Sequence, residues 1–326
     1  MVAVICSLAI AMLHQSNVIQ AEDPNSVARA AEVLGNGGVV AIPTETVYGL
    51  AAAVDNPTSL NKVFSVKGRP TTHPLISHLS SIEQLHDWAK EVSSDAELVA
   101  GSCWPGPLSI LLNKSERLPY LVTGNRETAV FRIPAHQFAR HLIDALQVPL
   151  AAPSANRFGR VSPTTAQHVL DDLGSDVDLI IDGGSCTIGV ESTIVDFTCD
   201  PPQLLRPGGI PREDIELILG KSLVGQRGES RASGMLQSHY SPACQVIIAN
   251  DLAHAEKLLA QQQSMGNRAR IVQFSDDLPI YASTLYSQMR QADFEGFHSL
   301  VAIRPPETGL GQAILDRLLK ASAPRF

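Results

Sequence analysis

The sequence is short of the features that mark many protein classes, and each shortage excludes something. Basic residues do not dominate: 25 lysines and arginines stand against 33 acidic side chains, a net charge of −8. That balance disfavours a broad electrostatic grip on a nucleic-acid backbone, although it permits a local basic pocket. Cysteine is sparse and odd in number. Cys6, Cys103, Cys186, Cys199 and Cys244 are widely spaced and form no C-x-x-C or Cys/His cluster, so neither a disulfide framework nor a zinc site is expected and a reducing compartment fits. No G-x-x-x-x-G-K-[ST] loop is present, and GNGG at 35–38 precedes an apolar run instead of following one, so it is no dinucleotide fingerprint. Long apolar runs are also missing. MVAVICSLAIAML at 1–13 is too short to span a bilayer, and it lacks a preceding basic residue and a clear cleavage site, so neither a membrane anchor nor export is expected; translation from Met12 would remove it.

What is present is the composition of a folded chain, 44% hydrophobic and 18% charged, at a length that suits two domains. From Asp23-Pro24 an apolar helical period (Val27, Ala30, Ala31, Val33, Leu34) ends at Gly35 and Gly37. The runs VVAIPT, LSILL, AVFRIP, VPLAAPS, DLIIDGG, STIVDF and QLLRP read as strands, with Pro43, Pro134 and Pro153 at strand ends, and capping boxes at Ser81-x-x-Gln84 and Thr164-x-x-Gln167 open helices. Residues 221–242 are rich in Gly and Ser without an apolar period and read as a linker. Beyond them the pattern restarts as β-α-β-α-β-α, a small parallel-sheet domain. The expected organisation is an N-terminal extension (1–22), an α/β domain (23–220), a linker (221–242) and a C-terminal domain (243–326).

Candidate chemistry begins at KGRPTTHPLISH, 67–78. In an extended backbone Lys67 and Arg69 aim at one place, and no Asp or Glu occurs between Asp55 and Glu83 to neutralise them, so an anion, solvent or a distant carboxylate must. His73 and His78 lie five apart on opposite faces with no Cys or acidic partner nearby, so a metal site is not expected. PTETVYGL (43–50) ends an apolar strand, where α/β sheets tend to bind ligands, with Thr44 and Thr46 on one face; read by itself it is a polar strand end with Glu45 solvated. Arg132 in AVFRIP needs a partner, either a ligand or a structural salt bridge. PSAN (153–156) reads alone as a turn.

Taken in order, PTETVYGL, KGRP with PLISH, WPGPLSILL, FRIP, APSAN followed by SP, GVESTIVD and LLRPG closely resemble the YrdC-like domain of threonylcarbamoyl-AMP synthases, over about residues 25–216. SHYSP (238–242) and PPETGLGQAILDRLLKAS (305–322) resemble the second domain of the longer, two-domain branch. The resemblance implies a twisted mixed YrdC-like sheet with helices plus a smaller parallel α/β domain. It implies that ATP, L-threonine and bicarbonate are joined into threonylcarbamoyl-adenylate with release of pyrophosphate, in the cytoplasm, with Mg2+ arriving on ATP and a tRNA-modifying transferase complex as the downstream acceptor. Lys67, Arg69, Ser154 and Asn156 match the family's catalytic set. Thr46, His78, Arg132, Ser154 and Ser192 match its threonine contacts. Arg69, His73, Thr128, Ala152, Ser162, Arg206 and Tyr240 match its ATP contacts, and Tyr240 makes the linker a lid over the nucleotide.

Two positions depart from the pattern: His73 stands where many relatives have Asn, and GMLQSHYSP lacks the lysines that flank this Tyr in many members. The competing readings are an RNA-binding module on the same domain and carbamoyl transfer to a maturation factor. The acidic charge argues against the first, and the absence of zinc-finger cysteines against the second.

Overall fold

The computed structural model describes residues 17–226, 240–272 and 276–323. Strands of the larger sheet are, in chain order, Val18–Gln20 (β1), Val40–Ile42 (β2), Gly49–Ala53 (β3), Ile76–His78 (β4), Ala89–Lys90 (β5), Leu108–Lys114 (β6), Thr128–Arg132 (β7), Leu150–Ala151 (β8), Leu179–Asp182 (β9), Thr193–Asp196 (β10), Gln203–Arg206 (β11) and Val224–Gly225 (β12). They lie side by side as β1-β9-β2-β3-β8-β4-β7-β6-β10-β11-β12, with β5 beside β6. The helices are Ser26–Gly35 (α1), Pro57–Lys67 (α2), Glu83–Trp88 (α3), Ser94–Cys103 (α4), Tyr120–Thr123 (α5), Gln137–Leu146 (α6), Ala166–Leu173 (α7) and Arg212–Leu219 (α8). Two strands fall outside the limits read from sequence. β1, in the stretch taken as an extension, pairs in parallel with β9, and β12, in the stretch taken as linker, pairs in parallel with β11.

The period-2 pattern of the central strands explains where a site can form. On β6 and β7, Leu108, Ile110, Leu112, Ala129 and Phe131 point into the main core. Their alternates Leu111 and Val130 join Ile76, Ile194 and Leu205 in a small apolar cluster on the other face. Arg132, Ser109 and His78 are the polar members of that second face by the same alternation. The cleft therefore lies across the face of a mixed sheet, not beyond one set of strand ends as the PTETVYGL strand end suggested.

Helix boundaries differ from expectation by local hydrogen bonding. Asp23 does not cap α1: its Oδ1 accepts the Asn25 N–H at 2.8 Å in an Asx turn, and the helix starts at Ser26. The cap of α7 is Thr165, accepting from His168 N–H at 3.2 Å, one residue beyond the expected Thr164. Gln84 reaches back to the Ser80 N–H, not to Ser81.

The C-terminal domain holds Gln245–Ala249 (β13), Leu252–Ser264 (α9), Ala269–Ile271 (β14), Leu278–Phe294 (α10), Ser299–Ile303 (β15) and Gly311–Ser322 (α11). Its parallel sheet has the order β13-β15-β14. α10 and α11 pack toward the larger domain, where Val47, Val161 and Val190 share one core cluster with Tyr240, Tyr286, Ile314 and Leu318. Tyr240, expected in an unpacked linker, is buried in this cluster. Residues 227–239, the rest of the segment read as a lid, lie outside the described residues.

Candidate active site

Strand register brings the threonine-type residues together. β4 and β7 are parallel with His78 opposite Arg132, and the PTET turn and the start of β10 close the same space. Arg132 is 4% exposed, and its guanidinium is held at three points. Nη1 donates to Thr46 Oγ1 at 2.8 Å, Nε to the Gly106 carbonyl at 3.2 Å and Nη2 to Glu45 Oε1 at 2.6 Å. Glu45, expected in solvent, is buried, and its other oxygen accepts the Ala135 N–H at 3.0 Å. A guanidinium has five N–H donors, so Arg132 keeps donors beyond these three bonds for a ligand. Thr44 and Thr46 do converge, their hydroxyls 2.9 Å apart, but through a turn and not along a strand face. His78 is neutral: burial first, then the Arg132 charge, hold its imidazole down at about 3, and Nδ1 lies 3.2 Å from the Ile76 carbonyl. Ser192 Oγ lies 2.7 Å from Ser109 Oγ.

On the anion side the pair that opened the question is not extended. Asn56 caps α2 by accepting from Thr58 and Ser59 N–H, with Pro57 at its first turn, and the helix ends at Gly68 in the left-handed region at φ 62°. The Gly68 N–H donates to Ser65 O and the Arg69 N–H to Phe64 O, a Schellman turn that glycine adopts without the Cβ penalty. Lys67 and Arg69 therefore diverge. Lys67, 2% exposed, turns beneath the Ser154–Asn156 loop and donates to the carbonyls of Ser154 (2.5 Å) and Asn156 (2.6 Å). Burial first, then the Arg69 charge, push its ammonium well below the ordinary lysine value. Arg69 lines the cleft, with Nη2 donating to Pro74 O at 3.0 Å and its guanidinium 5.5 Å from the Phe158 ring; burial lowers it to about 10, still charged at neutral pH. His73 packs edge-on against the same ring at 5.3 Å, and burial followed by the Arg69 and Arg126 charges keeps it neutral.

Thr44, Thr46, Arg69, His78, Arg132, Ala152, Ser154, Glu191, Ser192, Arg206 and Tyr240 share one cleft of about 550 Å³ with an apolar floor at Ile76. Arg206 donates through Nε and Nη2 to the Ser192 carbonyl at 3.0 and 2.9 Å, and through Nη2 to its hydroxyl at 3.1 Å. Gly208 makes that approach possible, since a Cβ there would fall 2.2 Å from Thr193 N and 2.3 Å from Ser192 C. Lys67, Asn156 and Ser162 sit behind the wall. Asn156 Nδ2 braces its loop through Arg157 O and Arg160 O, and Ser162 Oγ donates to Glu191 Oε1 at 2.6 Å. Thr128 is not brought to the cleft: it begins β7, opposite Asn113, four residues and roughly 13 Å of strand from Arg132.

Sequence reasoning missed Glu191, Tyr286 and Arg317. Glu191 accepts from Ser162, from Tyr286 Oη at 2.8 Å and from Arg317 Nε at 2.8 Å. Burial alone would raise its carboxyl, but the Arg317 and Arg206 charges hold it down at about 2. Glu191 lay within the quoted GVESTIVD and Arg317 within PPETGLGQAILDRLLKAS, where helical spacing from Ala313 and Ile314 sets it on the apolar face; Tyr286 lay in no quoted motif. Among the described residues no group of three His, Cys, Asp or Glu could hold a metal, none of Cys103, Cys186, Cys199 and Cys244 forms a disulfide, and no helix is long and apolar enough to cross a membrane.

Comparison with known proteins agrees with this geometry. The Sua5/YciO/YrdC family model, described as telomere recombination, matches residues 32–208, and the threonylcarbamoyl-AMP synthase C-terminal domain model matches 210–323. Threonylcarbamoyl-AMP synthases of Pyrococcus abyssi and Bacillus subtilis are 39% and 36% identical, covering 91% and 94% of this chain and 94% and 95% of their own lengths. The crystal structure of P. abyssi Sua5 complexed with L-threonine superposes with a TM-score of 0.87 at 39% identity, over 91% of this chain and 94% of that one. With both domain models matched in order and relatives aligned along nearly their whole length, the chain belongs to the threonylcarbamoyl-AMP synthase family, in its two-domain form.

Proposed function

We propose that this protein joins L-threonine, bicarbonate and ATP into L-threonylcarbamoyladenylate, releasing pyrophosphate, to supply threonylcarbamoyladenosine modification of tRNA. The observation that carries this reading is the juxtaposition, in one cleft, of a sheet-borne amino-acid pocket (Thr46, His78, Arg132, Ser192) and two cationic groups beside it, Arg69 and Arg206. Arg132 takes the threonine carboxylate on its remaining donors, and Thr46 and Ser192 orient the rest of the amino acid. Neutral His78 can accept from an ammonium or donate to an oxygen without adding charge. Bicarbonate takes up the proton that the threonine ammonium gives up and yields CO2 and water; the free amine captures the CO2, releasing a second proton to solvent, and the carbamate oxygen attacks the α-phosphorus while pyrophosphate leaves. The chain's task is positioning and charge neutralisation, so no covalent nucleophile is required. Arg69 faces the charge that develops on the departing phosphates, and Lys67 acts through the Ser154–Asn156 loop that it holds from behind. Ala152, Ser162, Arg206, His73 and Tyr240 complete the nucleotide half.

Mg2+ accompanies ATP in this reading. Both carboxylates nearest the cleft, Glu45 and Glu191, are engaged by guanidinium groups, so the residues present fit an ion that arrives on phosphate oxygens and keeps its water, where it neutralises phosphate charge. The adenylate passes to a transferase complex in the cytoplasm. Pyrophosphate release from ATP tests the reading: release that depends on both threonine and bicarbonate supports it, and salt-steep RNA binding without turnover would support the RNA-binding alternative instead.

A further inference from the structure

The C-terminal domain reaches the wall of the cleft through a polar cluster set beside the apolar contacts of the interface. Arg317 on α11 is 0% exposed. Its Nε donates to Glu191 Oε2 at 2.8 Å, its Nη1 to the carbonyl of Pro207 at 3.0 Å, and its guanidinium lies 5.2 Å from the Tyr240 ring. Tyr286 on α10 donates to the same Glu191 oxygen at 2.8 Å and stacks on Tyr240 at 5.8 Å and 29°. Tyr240 has φ 61°, a left-handed backbone that a bulky residue keeps only when its surroundings over-determine it.

These contacts reach groups assigned above to the nucleotide either directly or through one intermediate residue. Glu191 anchors Ser162, Pro207 follows Arg206, and Tyr240 is clasped between Tyr286 and Arg317. The threonine pocket depends mainly on the catalytic domain's own strands, and it meets the cluster at Ser192, which follows Glu191 and accepts from Arg206. We infer that Arg317 is a positioning residue for the reaction, with Tyr286 as its second: through Glu191 and Tyr240 the C-terminal domain sets the nucleotide half of the active site and leaves the threonine half to the catalytic domain. The inference rests on the proposed function.

Docking of the two domains has other supports, so a change at Arg317 need not undock them. Arg290 bonds Asp172 through Nη1 at 3.0 Å and Nη2 at 2.6 Å and reaches the Ser162 carbonyl at 3.3 Å, and the hydroxyls of Thr164 and Ser287 lie 3.1 Å apart. A carboxylate left buried without its cation is strongly disfavoured, so Arg317→Met is expected to move Glu191 from its place instead of leaving it there unpaired.

The test uses the full-length chain and calorimetric titration of a non-hydrolysable ATP analogue and, separately, of L-threonine. Arg317→Met is expected to weaken the analogue roughly 10- to 100-fold, the scale on which small misplacements act. Threonine affinity should stay within about twofold. Arg317→Lys, which keeps the charge, should recover part of the loss, and Tyr286→Phe, which keeps the ring but removes the hydroxyl, should weaken the analogue by a smaller factor. Tyr286→Phe decides the matter if Arg317→Met does not fold. Unchanged analogue affinity in the folded variants overturns the inference, and so does parallel weakening of both ligands, which marks a purely structural role. A wild-type chain that binds threonine but no ATP analogue overturns the proposed function itself, a result distinguishable from either.

Discussion

The two halves of the cleft are built differently. The half proposed for threonine is made by strand register: His78 and Arg132 are opposed on parallel neighbours, and Thr46 reaches them from a turn that hydrogen-bonds itself. The half proposed for the nucleotide is made by loops, a helix C-terminus and a second domain, with Arg69 beyond a left-handed glycine, Arg206 against the Ser192 backbone, and Tyr240 held by α10 and α11. A pocket fixed by a sheet ladder keeps its shape as long as the sheet is folded. A pocket assembled from loops and an interface opens at the lower free energy of local rearrangement. On the proposed reading, the smaller substrate meets a sheet ladder and the larger one meets loops and a domain interface.

Arg69→Ala should break this comparison most severely on the nucleotide side. Removing a cation that faces charge developed in phosphoryl transfer is expected to raise the barrier by about 2.7–4 kcal/mol, if it resembles loss of one oxyanion donor, with threonine binding retained. Single-turnover pyrophosphate release beside threonine calorimetry checks it. Arg132→Lys is the complementary change. It keeps the charge but loses the fork that joins Thr46, Glu45 and Gly106, so threonine binding should weaken by about 1.5–3 kcal/mol while affinity for the ATP analogue stays close to wild type. Equal weakening of both ligands would show that Arg132 serves the fold alone.

The same contrast governs what could be read from the sequence. The apolar runs AVFRIP and LSILL predict strands of the sheet, and the family resemblance names His78 and Arg132, which register brings opposite one another. Lys67 and Arg69 were misjudged geometrically: the Gly between them, read as extended, is the left-handed end of α2. Glu45 was taken as solvated because a carboxylate in a strand-end turn usually is, and its partner Arg132 lies 87 residues away. Arg317 lies in the quoted C-terminal motif at i+4 from Ala313 and i+3 from Ile314, on the apolar face of its helix, but its partner Glu191 is 126 residues away. Tyr286 likewise meets Glu191 only when the two domains are packed together.

Acid should act first through the buried histidines and only later through Glu191. His78 in the unfolded chain takes a proton near its ordinary 6.5, but in the folded protein only near 3, so stability is intact above pH 6.5 and falls as pH drops through that window. His168, lowered by burial to about 4, adds to the same slope. Glu191 ionises at about 2 when folded against an ordinary 4.5, so what it contributes to the domain interface is complete above pH 4.5 and is lost only between there and about 2. Chemical unfolding followed at pH 7.5, 6, 5 and 4 should show the first slope, and His78→Gln should flatten it. An unaltered slope in that variant would locate the titration elsewhere. The smallest effect is expected at Thr128, distant from the cleft wall. Thr128→Ala should change ATP-analogue affinity by no more than about 0.5 kcal/mol. A larger loss would show that the nucleotide extends along β7 and that the nucleotide half includes part of the sheet.

The central claim is that one cleft joins threonine to the α-phosphate of ATP through a carbamate. Mass spectrometry of the nucleotide products made with threonine, ATP and carbon-13 bicarbonate tests it most directly. The expected product is an adenylate that carries threonine and a single labelled carbon, formed together with pyrophosphate and absent when any of the three substrates is withheld. An adenylate of threonine without the labelled carbon, or pyrophosphate released without threonine, would contradict it.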